Sequence, residues 1–375
     1  MQTPIVPHSQ PTDPGRSKPF FEIAIERISS VYKPASARKE GIHYWPEPLP
    51  TPSHQLPDPL VLFYPEDLDT NQSGLDQRER QAVIPMTRRE VLERRSRENI
   101  KPSMQIPLGL IDKPAEQLRE TFLVDLHGAG GTATGGPLLI AGAQHSGKAT
   151  ALQTILFWLT TRFLPEQLRY AILDPFAELT HFRTLPHLSK ANGDMYWSAE
   201  ASEEQLQHFT NRIYAEIQQR HDLFASQQQH PQTLSQVWSQ GLSIPQLLVI
   251  ISNYQLFAER TTTALLIKKL AQTVMEARAL GVYLIITSTE TGPRQLPQEL
   301  ISKCPTRIGL GLSNRQNHEL FGATILPAET VPGRGWIQTP ERHIQQVQLA
   351  LPLSGSTESI RDTQLKLALV QNSLP

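Results

Sequence analysis

Short apolar runs alternate with longer amphipathic segments through the middle of this chain. The runs are bounded by polar or turn residues and are too short for helices, so we predict buried strands at 137–141, 169–173, 247–251, 281–287 and 307–312. Between them, apolar residues recur at helical spacing, which predicts helices at 151–159, 206–223 and 264–280. This alternation predicts an α/β fold with a mostly parallel sheet and helices on both of its faces.

The same pattern divides the chain into four parts. Residues 1–19 lack periodicity and are rich in proline, which predicts disorder. Residues 20–105 are predicted to be a partly helical linker, and within them Glu and Arg alternate along 68–101, which favours a solvated helix over a basic patch. We place the α/β domain at 106–352 and a weakly helical C-terminal tail at 353–375.

Composition narrows the classes of function. The net charge is −1, with 35 Lys and Arg against 36 Asp and Glu, so no overall basic field favours nucleic acid. The single cysteine, Cys304, excludes an internal disulfide and fits a reducing compartment. No apolar stretch approaches the length of a membrane span, and the N-terminus does not resemble a signal peptide. We therefore expect a soluble, cytoplasmic chain, in which any membrane attachment comes from a partner or from sequence outside this chain.

A glycine-rich loop joins the first predicted strand of the domain to its first helix. Two glycines with four residues between them, followed by a lysine, favour phosphate binding because backbone N–H groups turn inward and the helix N-terminus adds partial positive charge. Lys148 is expected to reach the β- and γ-phosphates of ATP. Glycine-rich turns also occur without nucleotide, so that alternative stays open. The candidate nucleotide-binding residues are Gly142, Ala143, Gln144, His145, Ser146, Gly147, Lys148, Ala149 and Thr150.

The position after Lys148 departs from the usual pattern. A Ser or Thr there normally holds Mg²⁺, and this chain has Ala149. Thr150 offers a hydroxyl, but one residue further along a helix points it about 100° away. We therefore expect ATP to bind weakly or as a structural ligand, with Mg²⁺ binding weak or absent.

A second departure follows the strand at 247–251. P-loop ATPases end this strand in an acidic pair that holds Mg²⁺ and polarises the attacking water. Here Ser252 and Asn253 follow, and neither can act as a general base at neutral pH. Both departures affect the same metal and the same reaction, so we predict a degenerate site with no catalytic residue and negligible hydrolysis. Glu178 is the first candidate for a substitute carboxylate, although a structural role is favoured for it. A core strand of an unrelated fold is the alternative interpretation of 247–251.

In their order and spacing, these segments resemble the FtsK/SpoIIIE-type P-loop ATPase modules, in particular the repeated modules of the EccC motor of type VII secretion. The resemblance implies a P-loop NTPase core of the RecA-like type over 106–352. It also marks Ser288 and Thr289 as sensor-like positions, because family translocases carry Thr-Gln-Arg after that strand. Glu290 departs from the pattern by reversing the sign of an often cationic position. The segments that carry the resemblance are 106–112, 123–126, 142–150, 173–175, 178–179, 185–188, 247–251, 281–287, 305–308, 332–335 and 348–352.

The resemblance implies a nucleotide-binding but catalytically impaired module of a secretion motor, peripheral to the cell membrane. Its implied partners are other ATPase modules, signal segments of secreted substrates and further copies of itself, since the family forms hexamers; nucleic acid is not expected. The segment 20–50 resembles the tail of a preceding module, which implies a fragment or split subunit of a longer motor.

Two alternatives remain. An active DNA translocase would need an acidic strand end, a hydroxyl residue after Lys148 and a basic surface. A scaffold would bind a secretion-signal helix in an apolar groove and hold no nucleotide. ATP binding separates the scaffold from the nucleotide-binding module.

Overall fold

The computed structural model describes residues 61–63, 104–113, 118–127, 135–163, 165–188, 195–198, 202–227, 233–325, 331–341 and 343–353. The predicted disorder of 1–19, the helical segments of the linker and the helical tail lie outside these residues. Contacts divide the chain into two compact units, and every described residue except Leu118 belongs to the larger one. Across the described ranges, no helix combines the length and the apolar character that a bilayer crossing requires.

Ten of the strands in the described ranges form one sheet, in the order β3-β2-β11-β10-β9-β4-β8-β7-β5-β6, and the remaining two, β1 and β12, pair in parallel. In chain order the strands are β1 (Val61–Phe63), β2 (Gln105–Lys113), β3 (Leu118–Asp125), β4 (Leu138–Gly142), β5 (Leu168–Asp174), β6 (Tyr196–Ser198), β7 (Gln246–Ile251), β8 (Val282–Ser288), β9 (Thr306–Leu310), β10 (Arg334–Gln338), β11 (Ile344–Leu349) and β12 (Leu351–Leu353).

The predicted strands form the parallel part of the sheet. Strands β9, β4, β8, β7, β5 and β6 lie side by side and run parallel to one another. Every residue of β4, β7 and β8 is buried, which is why their sequences are mostly apolar rather than alternating. The predicted α/β fold with a mostly parallel sheet is confirmed.

An antiparallel extension adjoins β9, and the apolar pattern did not predict it. Strand β10 pairs antiparallel with β9 and β11, and β11 pairs antiparallel with β2. Three of the six residues of β11 are glutamines, so the strand lacks an apolar run. One of them, Gln348, is fully buried and accepts a hydrogen bond from Arg334 Nε at 2.9 Å.

Six α-helices lie in the described ranges, three of them at the predicted places around 151–159, 206–223 and 264–280 and three that the sequence pattern did not predict. They are α1 (Lys148–Arg162), α2 (Glu203–Ser226), α3 (Leu234–Ser239), α4 (Thr261–Glu276), α5 (Gln298–Lys303) and α6 (Asn314–Phe321). A capping box at Ser202 begins α2, because the Ser202 hydroxyl accepts from the Gln205 N–H and the Gln205 side chain accepts from the Ser202 N–H. The core side of α2 is largely as predicted, except that Phe224 is buried where Leu223 is half-buried.

The strand β1 lies inside the region assigned to the linker. It pairs with β12 through Val61 opposite Leu351 and Phe63 opposite Leu353. The boundaries drawn at 105 and 352 therefore stay a prediction, and this pairing is the observation that bears on them.

Candidate nucleotide-binding site

The glycine-rich loop connects β4 to α1 at the carboxyl edge of the parallel strands. Gly147 precedes the first residue of α1 and has a φ of 101°, a backbone conformation that glycine adopts without strain. A Cβ on Gly142 would lie 2.4 Å from Ser146 Oγ, so the loop closes on itself more tightly than any larger residue permits. The outer residues Gln144 and His145 are exposed. Local sequence therefore fixes the shape of this loop.

Lys148 is held at the mouth of the loop. Its ammonium donates to the carbonyl oxygens of Gly142 at 2.8 Å and Ala143 at 2.7 Å. Burial lowers the pKa of Lys148, and the nearby Glu178 carboxylate raises that pKa to a smaller extent. A desolvated ammonium with two neutral partners is placed to gain from a phosphate.

The loop also contains an unsatisfied donor. The Ser146 hydroxyl is buried against Gly142, and among the described residues it has no hydrogen-bond partner. An unsatisfied buried hydroxyl is costly, and a phosphate oxygen is a partner that would remove this cost. The hydroxyl, the Lys148 ammonium and the helix N-terminus together fit a phosphate group.

The same site does not fit Mg²⁺ in the usual way. Ala149 lies in the first turn of α1 and offers no oxygen on its side chain. Thr150 lies one residue further along the helix, half-buried, and its carbonyl accepts from Thr154 Oγ1 at 2.9 Å. Nowhere in the described ranges do three His, Cys, Asp or Glu side chains come together as metal ligands.

The end of β7 carries a neutral hydrogen-bonded pair. Ser252 and Asn253 are both buried, and the Asn253 backbone N–H donates to Thr287 Oγ1 on β8 at 2.9 Å. Asn253 has a φ of 52°, a left-handed conformation that asparagine tolerates. Its side-chain amide donates to Ser252 Oγ and to Glu178 Oε2, both at 3.1 Å. The structure therefore joins the position of the missing acidic pair to a carboxylate from the turn after another strand.

The Glu178 carboxylate belongs to the turn after β5, and a second carboxylate, Asp174, holds this turn in place. Asp174 is the last residue of β5, is fully buried, and accepts from the N–H groups of Glu178 at 3.2 Å and Leu179 at 2.7 Å. It also accepts from the Tyr196 hydroxyl at 2.5 Å, and burial together with this bond raises the pKa of Tyr196. Because β5 and β7 are neighbours, with Leu173 opposite Ile251, the turns that follow them meet.

The sensor-like residues Ser288 and Thr289 contact Gln255, which lies in the segment after β7. Ser288, the last residue of β8, is buried, and its hydroxyl lies within hydrogen-bond distance of Gln255 Oε1 at 3.2 Å and of the Glu290 carbonyl at 2.6 Å. The Thr289 N–H donates to Gln255 Oε1 at 3.0 Å, and Gln255 Nε2 donates back to Thr289 Oγ1 at 3.3 Å. Sequence reasoning missed Gln255, since a glutamine four residues after a strand carries no recognisable signal. Glu290 is exposed.

The candidate residues thus converge at one edge. The loop after β4 and the turns after β8, β7 and β5 follow neighbouring parallel strands, which is where α/β sheets bind ligands. The loop 142–150, the pair Ser252–Asn253 and the pair Ser288–Thr289 all belong to these connections.

Comparison with known proteins identifies the family of this chain. A model of the FtsK/SpoIIIE family matches residues 89–294. The ESX secretion system protein EccC of Geobacillus thermodenitrificans (strain NG80-2) is 27% identical over 255 residues, which cover 65% of this chain and 16% of that protein. The DNA translocase SftA of Bacillus subtilis (strain 168) is 25% identical over 209 residues, covering 52% of this chain and 20% of SftA.

Among solved structures, EssC (ATPases 2 and 3) from Geobacillus thermodenitrificans superposes with a TM-score of 0.61 at 21% identity, covering 72% of this chain and 49% of that one. This likeness supports the fold. The chain spans 16% of the length of EccC and 20% of the length of SftA. The chain belongs to the FtsK/SpoIIIE family, because the family model matches more than half of it.

Proposed function

We propose that this chain is a nucleotide-binding module of a type VII-like secretion motor, in which hydrolysis is impaired. The observation that carries the proposal is the contrast within one site. The Lys148 ammonium and the unpartnered Ser146 hydroxyl fit a phosphate, whereas Ser252 and Asn253 stand where an acidic pair would hold the metal and the water.

Binding without fast turnover is the expected consequence. Backbone N–H groups and the helix N-terminus hold phosphates without a metal, so the loop retains affinity for ATP. Transition-state stabilisation depends on the metal and on a carboxylate near the attacking water, which the residues after β7 do not supply. ATP is therefore a weak or structural ligand, and its occupancy would stabilise contacts between modules.

The similarity to EccC supports a place in a secretion motor. We infer that the partners are other ATPase modules, further copies of this chain in a hexamer, and signal segments of secreted proteins. The chain would then act in the cytoplasm, peripheral to the cell membrane, and the regions 1–19 and 20–105 would connect it to the rest of the motor.

Two other functions make different predictions. The similarity to SftA favours an active DNA translocase, but Ala149, Ser252 and Asn253 oppose this activity. A scaffold without nucleotide would leave the Ser146 hydroxyl unpartnered and Lys148 bonded to its own loop.

Calorimetry with ATP, with and without Mg²⁺, separates these functions. We expect weak to moderate ATP binding that changes little when Mg²⁺ is added, and loss of this binding in Lys148→Ala. Tight, strictly Mg²⁺-dependent binding would contradict a degenerate site. No binding by the folded wild-type chain would favour the scaffold.

A further inference from the structure

Glu178 is exposed, yet it is fixed from three sides. Its backbone N–H donates to Asp174 Oδ1 at 3.2 Å, and its carbonyl accepts from Gln153 Nε2 on α1 at 3.3 Å. Its carboxylate accepts from Asn253 Nδ2 at 3.1 Å. The preceding Ala177 has a φ of 57°, a left-handed conformation that costs an alanine about 1 kcal/mol. A strained turn that three elements anchor gives this side chain a defined position rather than a range of positions.

That position places a negative charge beside the phosphate loop. The Glu178 carbonyl accepts from Gln153, five residues after Lys148 on α1, and its carboxylate accepts from Asn253 at the end of β7, so both contacts place Glu178 beside the loop. The carboxylate also raises the pKa of the Lys148 ammonium. The neighbouring Ala149, Ser252 and Asn253 are neutral, and the Asp174 carboxylate is bonded to the backbone N–H groups of Glu178 and Leu179. In an ATPase with the usual acidic pair, a bound Mg²⁺ offsets such a carboxylate. Here the residues do not supply the usual metal ligands.

We propose that Glu178 determines which nucleotide this site accepts, by opposing the terminal phosphate of a nucleoside triphosphate and so favouring the diphosphate. This inference rests on the proposed nucleotide binding. The lysine of such loops reaches the β- and γ-phosphates, so Lys148 would contact the γ-phosphate. The γ-phosphate would then lie near the Glu178 carboxylate, which is close to the same ammonium. The β-phosphate lies deeper in the loop, among the backbone N–H groups, and is further from this carboxylate.

The size of the effect follows from electrostatics. Two like charges several ångströms apart at a partly exposed site repel by an amount that corresponds to about tenfold in affinity. The γ-phosphate of the triphosphate carries the additional charge nearest Glu178, so this repulsion lowers the affinity for the diphosphate much less than the affinity for the triphosphate. Salt screens charges at exposed sites, so the effect decreases as ionic strength rises.

The test measures ATP and ADP affinity by calorimetry in EDTA, where no divalent cation offsets the charge. Glu178→Gln removes the charge and keeps the shape, and Glu178→Ala removes both. Glu276→Gln is the matched control, because Glu276 is an exposed carboxylate at the end of α4, next to the amino end of β8 and thus at the opposite edge of the sheet. Circular dichroism melting curves establish that each variant is folded.

We expect both Glu178 variants to bind ATP about tenfold more tightly than wild type and ADP within about threefold, with a smaller gain at 0.5 M NaCl. Glu276→Gln should match wild type, and an equal gain in that control would overturn the inference by showing an effect of overall charge.

The other outcomes separate this inference from the proposed function. If wild type binds ATP but the Glu178 variants leave the ratio of ATP affinity to ADP affinity unchanged or lower it, the inference fails and the proposed function stands. If only the Glu178 variants bind ATP, the inference stands and ATP binding by the native chain fails. Absence of binding in every folded variant overturns both.

Discussion

The backbone N–H of Gly333 donates a hydrogen bond to the carbonyl of Ser146 at 2.8 Å. Gly333 lies in the turn before β10, and its own carbonyl accepts from the Leu349 N–H on β11 at 2.8 Å. The phosphate loop is therefore braced by the antiparallel extension of the sheet, which lies almost two hundred residues further along the chain. A Cβ on Gly147 would approach Gly333 N to 3.1 Å, so the two glycines also allow this close contact.

This contact makes Gly333→Ala a test of how the loop is supported. Gly333 has a φ of 76°, and a Cβ there would lie 2.9 Å from Gln348 Nε2. We expect a loss of about 1–2 kcal/mol in the free energy of unfolding, and weaker ATP binding because the loop shifts. Chemical denaturation and ATP titration measure the two effects.

Gly241→Ala is the matched control for that variant. Gly241 has a φ of 83°, but a Cβ there would meet nothing within 4 Å. It should lose stability through backbone strain alone and keep the ATP affinity of wild type. Equal ATP affinity in both variants would show that Gly333 does not brace the loop.

Steady-state ATP hydrolysis by the isolated chain should be negligible, because loss of the carboxylate pair and the metal-binding hydroxyl costs several orders of magnitude in rate. Phosphate release is the measurement, with Lys148→Ala as the background. The combined variant Ala149→Thr, Ser252→Asp, Asn253→Glu should make ATP binding dependent on Mg²⁺. Robust hydrolysis by wild type that Lys148→Ala removes would show that another carboxylate, first of all Glu178, acts in place of the pair.

Arg220 on α2 connects this helix to the segments that precede β7 and β8. Its guanidinium is buried and donates to the carbonyls of Leu280 at 2.9 Å and Pro245 at 2.7 Å, and to the Glu216 carboxylate at 2.9 Å. Arg220→Ala should lower the free energy of unfolding by about 2–4 kcal/mol, because it leaves buried acceptors unpaired. Urea denaturation measures this loss.

An exposed neighbour on the same helix provides the comparison for Arg220. Gln219→Ala also shortens a long side chain on α2, and it should change stability by less than about 0.5 kcal/mol. A loss of similar size in both variants would mean that helix packing in general, not the buried guanidinium, stabilises this region.

Stability should fall in mildly acidic solution because of His181. Burial lowers its pKa from 6.5 to about 4. The folded-state value lies below the unfolded one, so the neutral side chain contributes stability above pH 6.5 that is lost as the pH falls to about 4. We expect this loss to be about 2 kcal/mol, after allowance for its partial exposure.

The measurement compares urea denaturation of wild type and His181→Phe across that pH range. The variant keeps the contact with Phe182, whose ring centre lies 4.5 Å from that of His181. Its stability should depend less on pH than that of wild type. Parallel curves for the two proteins would assign the pH dependence to other groups.

Local sequence determined the parallel part of the sheet and the shape of the phosphate loop. A central strand is buried on both faces, so β4, β7 and β8 contain unbroken apolar runs that are recognisable in the sequence. The loop follows from the spacing of Gly142, Gly147 and Lys148, since the turn requires small residues at fixed positions. The absence of carboxylates directly after β7 is also visible in the sequence, because Ser252 and Asn253 follow the apolar run.

Tertiary structure alone decided which distant residues complete the site. The glutamines of β11 give no apolar pattern, and this strand is stabilised by its two neighbours and by the burial of Gln348. Glu178 reaches Asn253 only because β5 pairs with β7, and Gly333 reaches Ser146 only because β10 pairs with β9. Strand order is set by the packing of the whole sheet, and no local periodicity encodes it. Contacts that depend on that order therefore appear only in the folded chain.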